Sequence, residues 1–391
     1  MTLRFLTAGE SHGPGLTAIL EGLPAGLALE AETIHRDLAR RQKGYGAGPR
    51  MKLEEDVAVI LSGVMEGKTT GAPLALFIEN KDHERWRGRE IPRFTIPRPG
   101  HADLSGVLKY GYDDLRPALE RASARETAAR VAIGAVCRQL LAQFGVQVGA
   151  YVASIAEISA DLEDMPLEER IRRGLENDVH CPDAQAAVAM QERIRSVMQE
   201  KDTLGGVIEG VALGLPPGLG SFAQWDRRLD AQLAAAVMSI QAIKGVEIGP
   251  AFANTRLPGT QVQDPIDLHE GMLVRPTCRS GGLEGGVTTG QPLLVRAAMK
   301  PIATTLTPQR SVDLASGAKV DTRYERSDFC PVPRAVVIVE AMMAFTLANA
   351  LLEKLGGDSL TEMLPRFTSL RQARLSDLHL RDDDPRFWPP S

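Results

Sequence analysis

The 391-residue chain contains four cysteines, Cys137, Cys181, Cys278 and Cys330, far apart and with no Cys-x-x-Cys pair. That spacing excludes a disulfide framework and a cysteine-based zinc site, so reduced thiols and no bound metal are expected. Aromatic residues make up 5% of the chain, too few to interleave with basic side chains as a stacking nucleic-acid surface requires. Positive charge is not in excess: 45 Lys and Arg stand against 50 Asp and Glu, a formal net charge of −5. Overall charge therefore does not draw the chain to an extended polyanion or an anionic membrane. No Gly-x-Gly-x-x-Gly lies between a clean strand and a helix, and no Walker lysine follows a glycine loop. The first residues lack the apolar run of a signal peptide. The most apolar segment, residues 335–352, carries Glu340 and Asn349, so a buried core helix is expected there rather than a membrane span. A cytoplasmic protein is expected.

What is present is ordinary globular composition, with 43% hydrophobic and 24% charged residues. The chain also repeats itself. Residues 21–27 (EGLPAGL) return as 213–219 (LGLPPGL), and each is followed by an Arg-bearing helical segment. Residues 62–71 (SGVMEGKTTG) return as 280–290 (SGGLEGGVTTG), and each runs on into a Pro-Leu strand-like stretch. A long apolar helix closes each half, at about 123–144 and 333–355. Three matches in one order predict an internally duplicated fold of mixed α/β (α+β) class. One catalytic domain is expected over 1–375, made of halves at about 1–144 and 205–375 with an insertion at 145–204. Residues 376–391 are expected to be a mobile tail.

Polar loops carry the candidate chemistry. GESHG at 9–13 follows an apolar run, and its flanking glycines permit a turn that projects His12. Neighbours in sequence seldom face one another, and no nucleophile elbow surrounds Ser11, so a Ser11–His12 triad is not expected. Two arginine-rich stretches, 36–52 and 85–98, concentrate positive charge in the first hundred residues, the second ending in RPGHAD at 98–103. The planar guanidinium fork suits carboxylate and phosphate, so a local anion site is expected within an acidic protein. Ser123 and Glu126 have the spacing of a helix capping box, flanked by Arg121 and Arg125.

GESHG (9–13), RPGHAD (98–103), SARET (123–127), QAIKGVEIG (241–249), RSGGLEGG (279–286), KPIAT (300–304) and RSD (326–328) occur together and in order. On these motifs the chain resembles the chorismate synthases from about residue 3 to about residue 365. The resemblance implies a β-α-β sandwich-like fold with long core helices between antiparallel sheets, and a homotetramer. It implies the 1,4-anti elimination of phosphate from 5-enolpyruvylshikimate 3-phosphate to chorismate with reduced FMN. It further implies that Arg41, Arg50, Arg98 and Arg125 clamp the substrate and that His12 protonates the leaving phosphate. His101 would protonate or stabilise the reduced flavin, and Asp328 would assist proton removal, with Ser11 in support. FMN would lie against Arg121, Ala122, Ser123, Gln241, Ala242, Gly285, Lys300, Pro301, Ile302, Ala303, Thr304 and Arg326.

The sequence departs from the family pattern in places. The first basic loop reads Gly44-Tyr45-Gly46-Ala47 where Gly-x-Gly-Arg is common, which puts NADPH binding by Arg41 and residue 47 in doubt. Phe329 follows Asp328, and Ala122 stands where serine is frequent. Two rivals stay open on sequence: an NAD(P)H-dependent flavin reductase, and a non-catalytic RNA-binding protein using the basic loops.

Overall fold

A computed structural model describes residues 2–46, 55–324 and 328–383 of the chain. Strands β1 (Arg4–Ala8), β2 (Gly15–Glu21), β3 (Ala58–Ser62) and β4 (Leu74–Glu79) form an antiparallel sheet in the order β1-β2-β4-β3. Its inner face follows from the period-2 pattern: Leu16 pairs with Ile78, Ala18 with Leu76 and Leu20 with Leu74, all buried. A second antiparallel sheet contains β5 (Gln147–Ile155), β6 (Ile158–Ser159), β7 (Gly206–Leu213), β8 (Ile243–Ile248) and β9 (Leu293–Met299), in the order β8-β9-β7-β5-β6. Apart from the short edge strand β6, the second order, β5-β7-β9-β8, is the first sheet's order strand for strand.

The helices that matter for the site are α1 (Ala31–Gln42), α2 (Arg116–Arg121), α3 (Thr127–Ala142), α4 (Leu229–Met238) and α5 (Val332–Leu355). Helices α3 and α5 pack on each other between the sheets, α3 against β2 and β4, α5 against β5 and β7. The layering is sheet, helices, sheet, as the resemblance implies. At the helix crossing a Cβ on Gly134 would stand 2.2 Å from the Cβ of Ala341, so only glycine admits this approach. Helix α5 is long and apolar enough to cross a membrane, but 89% of its most apolar window is buried inside the protein. Burial nearly all round explains why it lacks a polar stripe.

Glu340 and Asn349 in that apolar run both have partners. Glu340 accepts a bidentate pair from Arg40 at 2.7 and 2.8 Å, a bond from Arg138 at 3.3 Å, and the Ala150 amide at 3.1 Å. Burial would raise its carboxyl, but the two arginines hold it below the usual glutamate value. Asn349 accepts the amide of Leu3 at 2.7 Å, pinning the start of β1 to the core.

The repeated sequence segments make repeated contacts. Thr69 exchanges backbone hydrogen bonds with Gly26 and Leu27, its hydroxyl donates to Pro24 O at 2.6 Å, and Leu27 N donates to that hydroxyl at 3.0 Å. Thr288 makes the same four bonds to Gly218, Leu219 and Pro216, with hydroxyl distances of 2.7 and 2.8 Å. The Gly-Leu-Pro-x-Gly-Leu segment and its distant threonine thus form one unit used twice.

The helix start near Ser123 differs from expectation. Ser123 accepts the Arg125 amide at 3.3 Å and caps a 3₁₀ turn, Ala124–Glu126, and α3 begins only at Thr127. Glu126 does not reach back to close a capping box. Its carboxylate takes Thr7 Oγ1 at 2.7 Å, Arg130 Nε at 2.9 Å and Gln241 Nε2 at 3.2 Å. In the C-terminal stretch, Asp377 accepts the Gln372 amide at 2.7 Å, and residues 384–391 lie outside the described residues.

Candidate active site

A cavity of about 990 Å³ opens where the β1–β2 turn, the last turn of α1, the loop at 98–103, the start of α3 and two loops of the second half converge. The β1–β2 turn is built tightly. Gly9 has φ +110°, and a Cβ there would lie 2.3 Å from Gly15 O. Asn80 braces the turn by donating to Glu10 O at 3.0 Å and Gly13 O at 2.8 Å. His12 Nδ1 lies 2.8 Å from Glu120 Oε1, and its ring stands 4.3 Å from that of Trp86. Ser11 and His12 do face each other, Oγ to Nδ1 at 3.1 Å, contrary to the expectation for sequential residues. The strained turn between the glycines bends both side chains to one side. Ser11 also donates to Glu120 Oε2 at 2.7 Å.

A second wall carries guanidiniums. Arg41, in the last turn of α1, donates from Nε to Thr127 Oγ1 at 2.9 Å, from Nη2 to Ala124 O at 2.9 Å, and pairs with Asp56 at 3.3 Å. Arg125 shares Asp56 and donates to Asn80 Oδ1 at 2.8 Å. Arg334 pairs with Asp328 and donates to Arg41 O at 2.9 Å. Burial pushes Arg41 down from its ordinary value to about 9, and Arg334 and Arg125 add to this against the pull of Asp56. The wall thus sets three guanidiniums, Arg41, Arg125 and Arg334, against two carboxylates, Asp56 and Asp328.

Opposite lies the RPGHAD loop. Asp103 is fully buried, accepting Arg98 Nε at 2.8 Å and facing His101 Nδ1 at 2.6 Å. Burial would raise its carboxyl, yet the bonds from His101 and Arg98 hold it well below the usual carboxylate range. Arg98 continues to Thr304 Oγ1 at 3.3 Å, and Lys300 Nζ donates to Gly100 O at 2.9 Å, tying this loop to the second half. On that side Ala242 sits at φ +66°, a conformation side chains seldom adopt. The adjacent Gln241 Oε1 is buried with no hydrogen-bond partner among the described residues.

Most of the sequence candidates therefore meet. Ser11, His12, Arg41, Arg98, His101, Ala122, Ser123, Arg125, Gln241, Ala242, Lys300, Ile302, Ala303, Thr304 and Asp328 all line the cavity. Three do not. Arg121 turns away to donate to Thr7 O and Oγ1, both at 2.8 Å, at a smaller neighbouring depression. Gly285 lies on the hairpin of Leu283–Glu284 and Val287–Thr288, near Phe222. Pro301 is exposed, its neighbours Lys300 and Ile302 alone turning to the cavity. Ala47, Arg50 and Arg326 lie outside the described residues. Sequence reasoning missed Glu120, Asp56, Asn80 and Trp86. Glu120 stands in no motif, and its contacts with Ser11 and His12 span 109 and 108 positions. Asp103 was within a quoted motif, two residues from His101, and was legible as its partner.

The four cysteines are free, and burial pushes the thiols of Cys137 and Cys330 up to about 12. They take no part in the cavity.

The chain is similar to known proteins over nearly its whole length. The chorismate synthase family model matches residues 3–352. The chain is 54% identical over 373 residues to the chorismate synthase of Desulforudis audaxviator, covering 93% of this chain and 95% of that one. It is 50% identical over 389 residues to that of Chlorobaculum tepidum, covering 95% and 98%. A crystal structure of chorismate synthase superimposes with a TM-score of 0.78 at 45% identity, covering 94% of this chain and 97% of that chain. With the family model matched over residues 3–352 and relatives half identical over more than nine-tenths of both chains, the chain belongs to the chorismate synthase family.

Proposed function

We propose that this phosphate-eliminating lyase converts 5-enolpyruvylshikimate 3-phosphate to chorismate by 1,4-anti elimination, with reduced FMN bound beside the substrate. The observation that carries the reading is the meeting of two imidazole–carboxylate pairs, His12–Glu120 and His101–Asp103, across one arginine-lined cavity. A substrate with two carboxylates and a phosphate suits a cavity where Arg41 and Arg125 share the single carboxylate of Asp56 and Arg98 lies nearby. His12, on the Ser11 side, donates a proton to the departing phosphate oxygen. Asp328, paired with Arg334, helps remove the ring proton.

The residues fit a flavin. The cavity, about 990 Å³, is at the upper end of typical ligand sites and has room for a cofactor with its substrate. The orphaned Gln241 Oε1 is an acceptor suited to a ring N–H, and Ala242, Ser123, Lys300, Ala303 and Thr304 supply the surrounding wall. The group held there would be reduced flavin, whose chemistry would be to lend electron density at the breaking C–O bond with no net oxidation. His101 holds a proton at the cavity edge, oriented by Asp103. Because Ala47 replaces the usual arginine, we read the flavin as reduced elsewhere rather than by bound NADPH. A cytoplasmic homotetramer acting on this small molecule, without nucleic acid or membrane, is the setting the family resemblance supports.

The rivals fit less well. Arg41, Arg125 and Arg98 are 3%, 7% and 9% exposed, in a cavity and not on a face that RNA could cover. The test is anaerobic incubation with chemically reduced FMN and 5-enolpyruvylshikimate 3-phosphate. Chorismate is expected with reduced FMN and none with oxidised FMN plus NADPH. No product under the reducing condition would overturn the reading.

A further inference from the structure

We propose that Glu120 is a positioning residue for the elimination, fixing His12 as the Nδ1-protonated ring so that Nε2 carries the exchangeable proton. The inference rests on His12 being the group that protonates the leaving phosphate.

The argument is one of counting protons. Glu120 Oε2 lies 2.7 Å from Ser11 Oγ and 2.8 Å from the His12 amide nitrogen, and Oε1 lies 2.8 Å from His12 Nδ1. Burial would raise this carboxyl, but the bonds from His12 and Ser11 keep it below the usual glutamate value, so it is ionised and can only accept. Ser11 has one hydroxyl proton, and it goes to Oε2. The Ser11 oxygen, 3.1 Å from Nδ1, is therefore left presenting a lone pair to the ring. Nδ1 thus faces two acceptors, Glu120 Oε1 and Ser11 Oγ. Had the neutral ring its proton on Nε2, the Nδ1 lone pair would confront a carboxylate oxygen at hydrogen-bond distance, which is repulsive. Nδ1 must be the protonated nitrogen, and Nε2 is where the proton comes and goes.

The same carboxylate also fixes the backbone, because its bond to the His12 amide holds the turn between Gly9 and Gly13. Helix α2 grips the ring a second way. Arg116, in its first turn, lies over Trp86 at 5.7 Å, and Trp86 lies against His12 at 4.3 Å. One short helix therefore sets the tautomer through Glu120 and supports the ring face through Arg116 and Trp86. Ser11, in this arrangement, is an acceptor that shares the Nδ1 proton, not a nucleophile.

The test is long-range ¹H–¹⁵N correlation on the full-length protein labelled with ¹⁵N-histidine. Seven histidines give signals, and His12 is assigned by its loss in H12A. The wild-type His12 is expected as the Nδ1–H tautomer. In E120Q the side-chain amide can donate to Nδ1, so the ring should shift toward the Nε2–H form. Its kcat should fall about 10-fold or more while KM changes little, as expected for loss of a group that orients a catalytic imidazole. An Nε2–H ring in the wild type, or a tautomer and kcat unchanged in folded E120Q, would overturn the proposal. If E120Q does not fold, the wild-type spectrum alone decides. A wild-type Nδ1–H ring in a protein that releases no phosphate from 5-enolpyruvylshikimate 3-phosphate supports the placement by Glu120 and overturns the reaction reading instead.

Discussion

At the scale of single residues the site consists of charges held in place before any ligand arrives. Each imidazole has a carboxylate at its Nδ1, and both carboxyls sit below their usual range although burial would raise them. General acid–base groups contribute about 10²–10⁴-fold. His12→Ala and His101→Ala should therefore each lower turnover by roughly that factor, while FMN binding, followed by fluorescence quenching, changes little. Unchanged turnover in either variant removes its role. Arg125→Lys loses the fork that spans Asp56 and Asn80, so KM for the phosphorylated substrate should rise; steady-state kinetics reads it directly. The residues legible in the sequence were those with unusual local company: His12 between glycines, His101 among arginines. Their carboxylate partners divide by distance along the chain. Asp103 lies two positions from its histidine, whereas Glu120 is brought across more than a hundred positions by the packing of α2 on the β1–β2 turn.

At the scale of elements the decisive contacts are the helix pair in the middle layer and the loops it supports. The α3–α5 crossing depends on Gly134, since any Cβ would overlap Ala341. Gly134→Ala should cost about 1–3 kcal/mol of stability, the usual cost of overpacking, measurable by urea denaturation. Because α3 begins just after the Ser123 turn and α5 just after Asp328, a shift of either helix displaces site residues, and activity should fall with stability. Long elements were readable because their patterns are long: the apolar helix expected at about 333–355 is found at Val332–Leu355. The start of α3 was not, because Ser123-x-x-Glu126 fits a capping box equally well whether Glu126 turns back to the cap or, as here, outward to Thr7 and Arg130.

At the scale of the whole molecule, net charge and local charge part company. The chain carries −5 overall, yet it gathers Arg41, Arg98, Arg125 and Arg334 around one cavity. The repeat was legible because one Gly-Leu-Pro-x-Gly-Leu turn with its threonine partner follows the corresponding strand of each sheet, β2 and β7, and the cavity lies where loops of both halves meet. Glu340, Glu120 and Asp103 give the molecule a common acid sensitivity. Each has a folded-state pKa below its ordinary value, 4.5 for the glutamates and 3.8 for Asp103, so its stabilisation is complete above that value and is lost as pH falls through the folded one. The urea midpoint should therefore drop as pH falls below about 4.5. Glu340→Gln should lose about 1.5–3 kcal/mol at neutral pH, because the half-buried Arg40 and Arg138 lose charged hydrogen bonds and keep only Asp37 as counter-charge, and should flatten this acid limb. An acid limb as steep as wild type would mean that Glu340 is not the group being titrated. The central claim is elimination without net oxidation or reduction, and stoichiometry tests it most directly. With 5-enolpyruvylshikimate 3-phosphate in large excess over anaerobically reduced FMN, phosphate and chorismate should appear in equal amounts, far exceed the flavin present, and leave the flavin spectrum reduced at the end. No phosphate release, or product limited to one per flavin with the flavin oxidised, would contradict it.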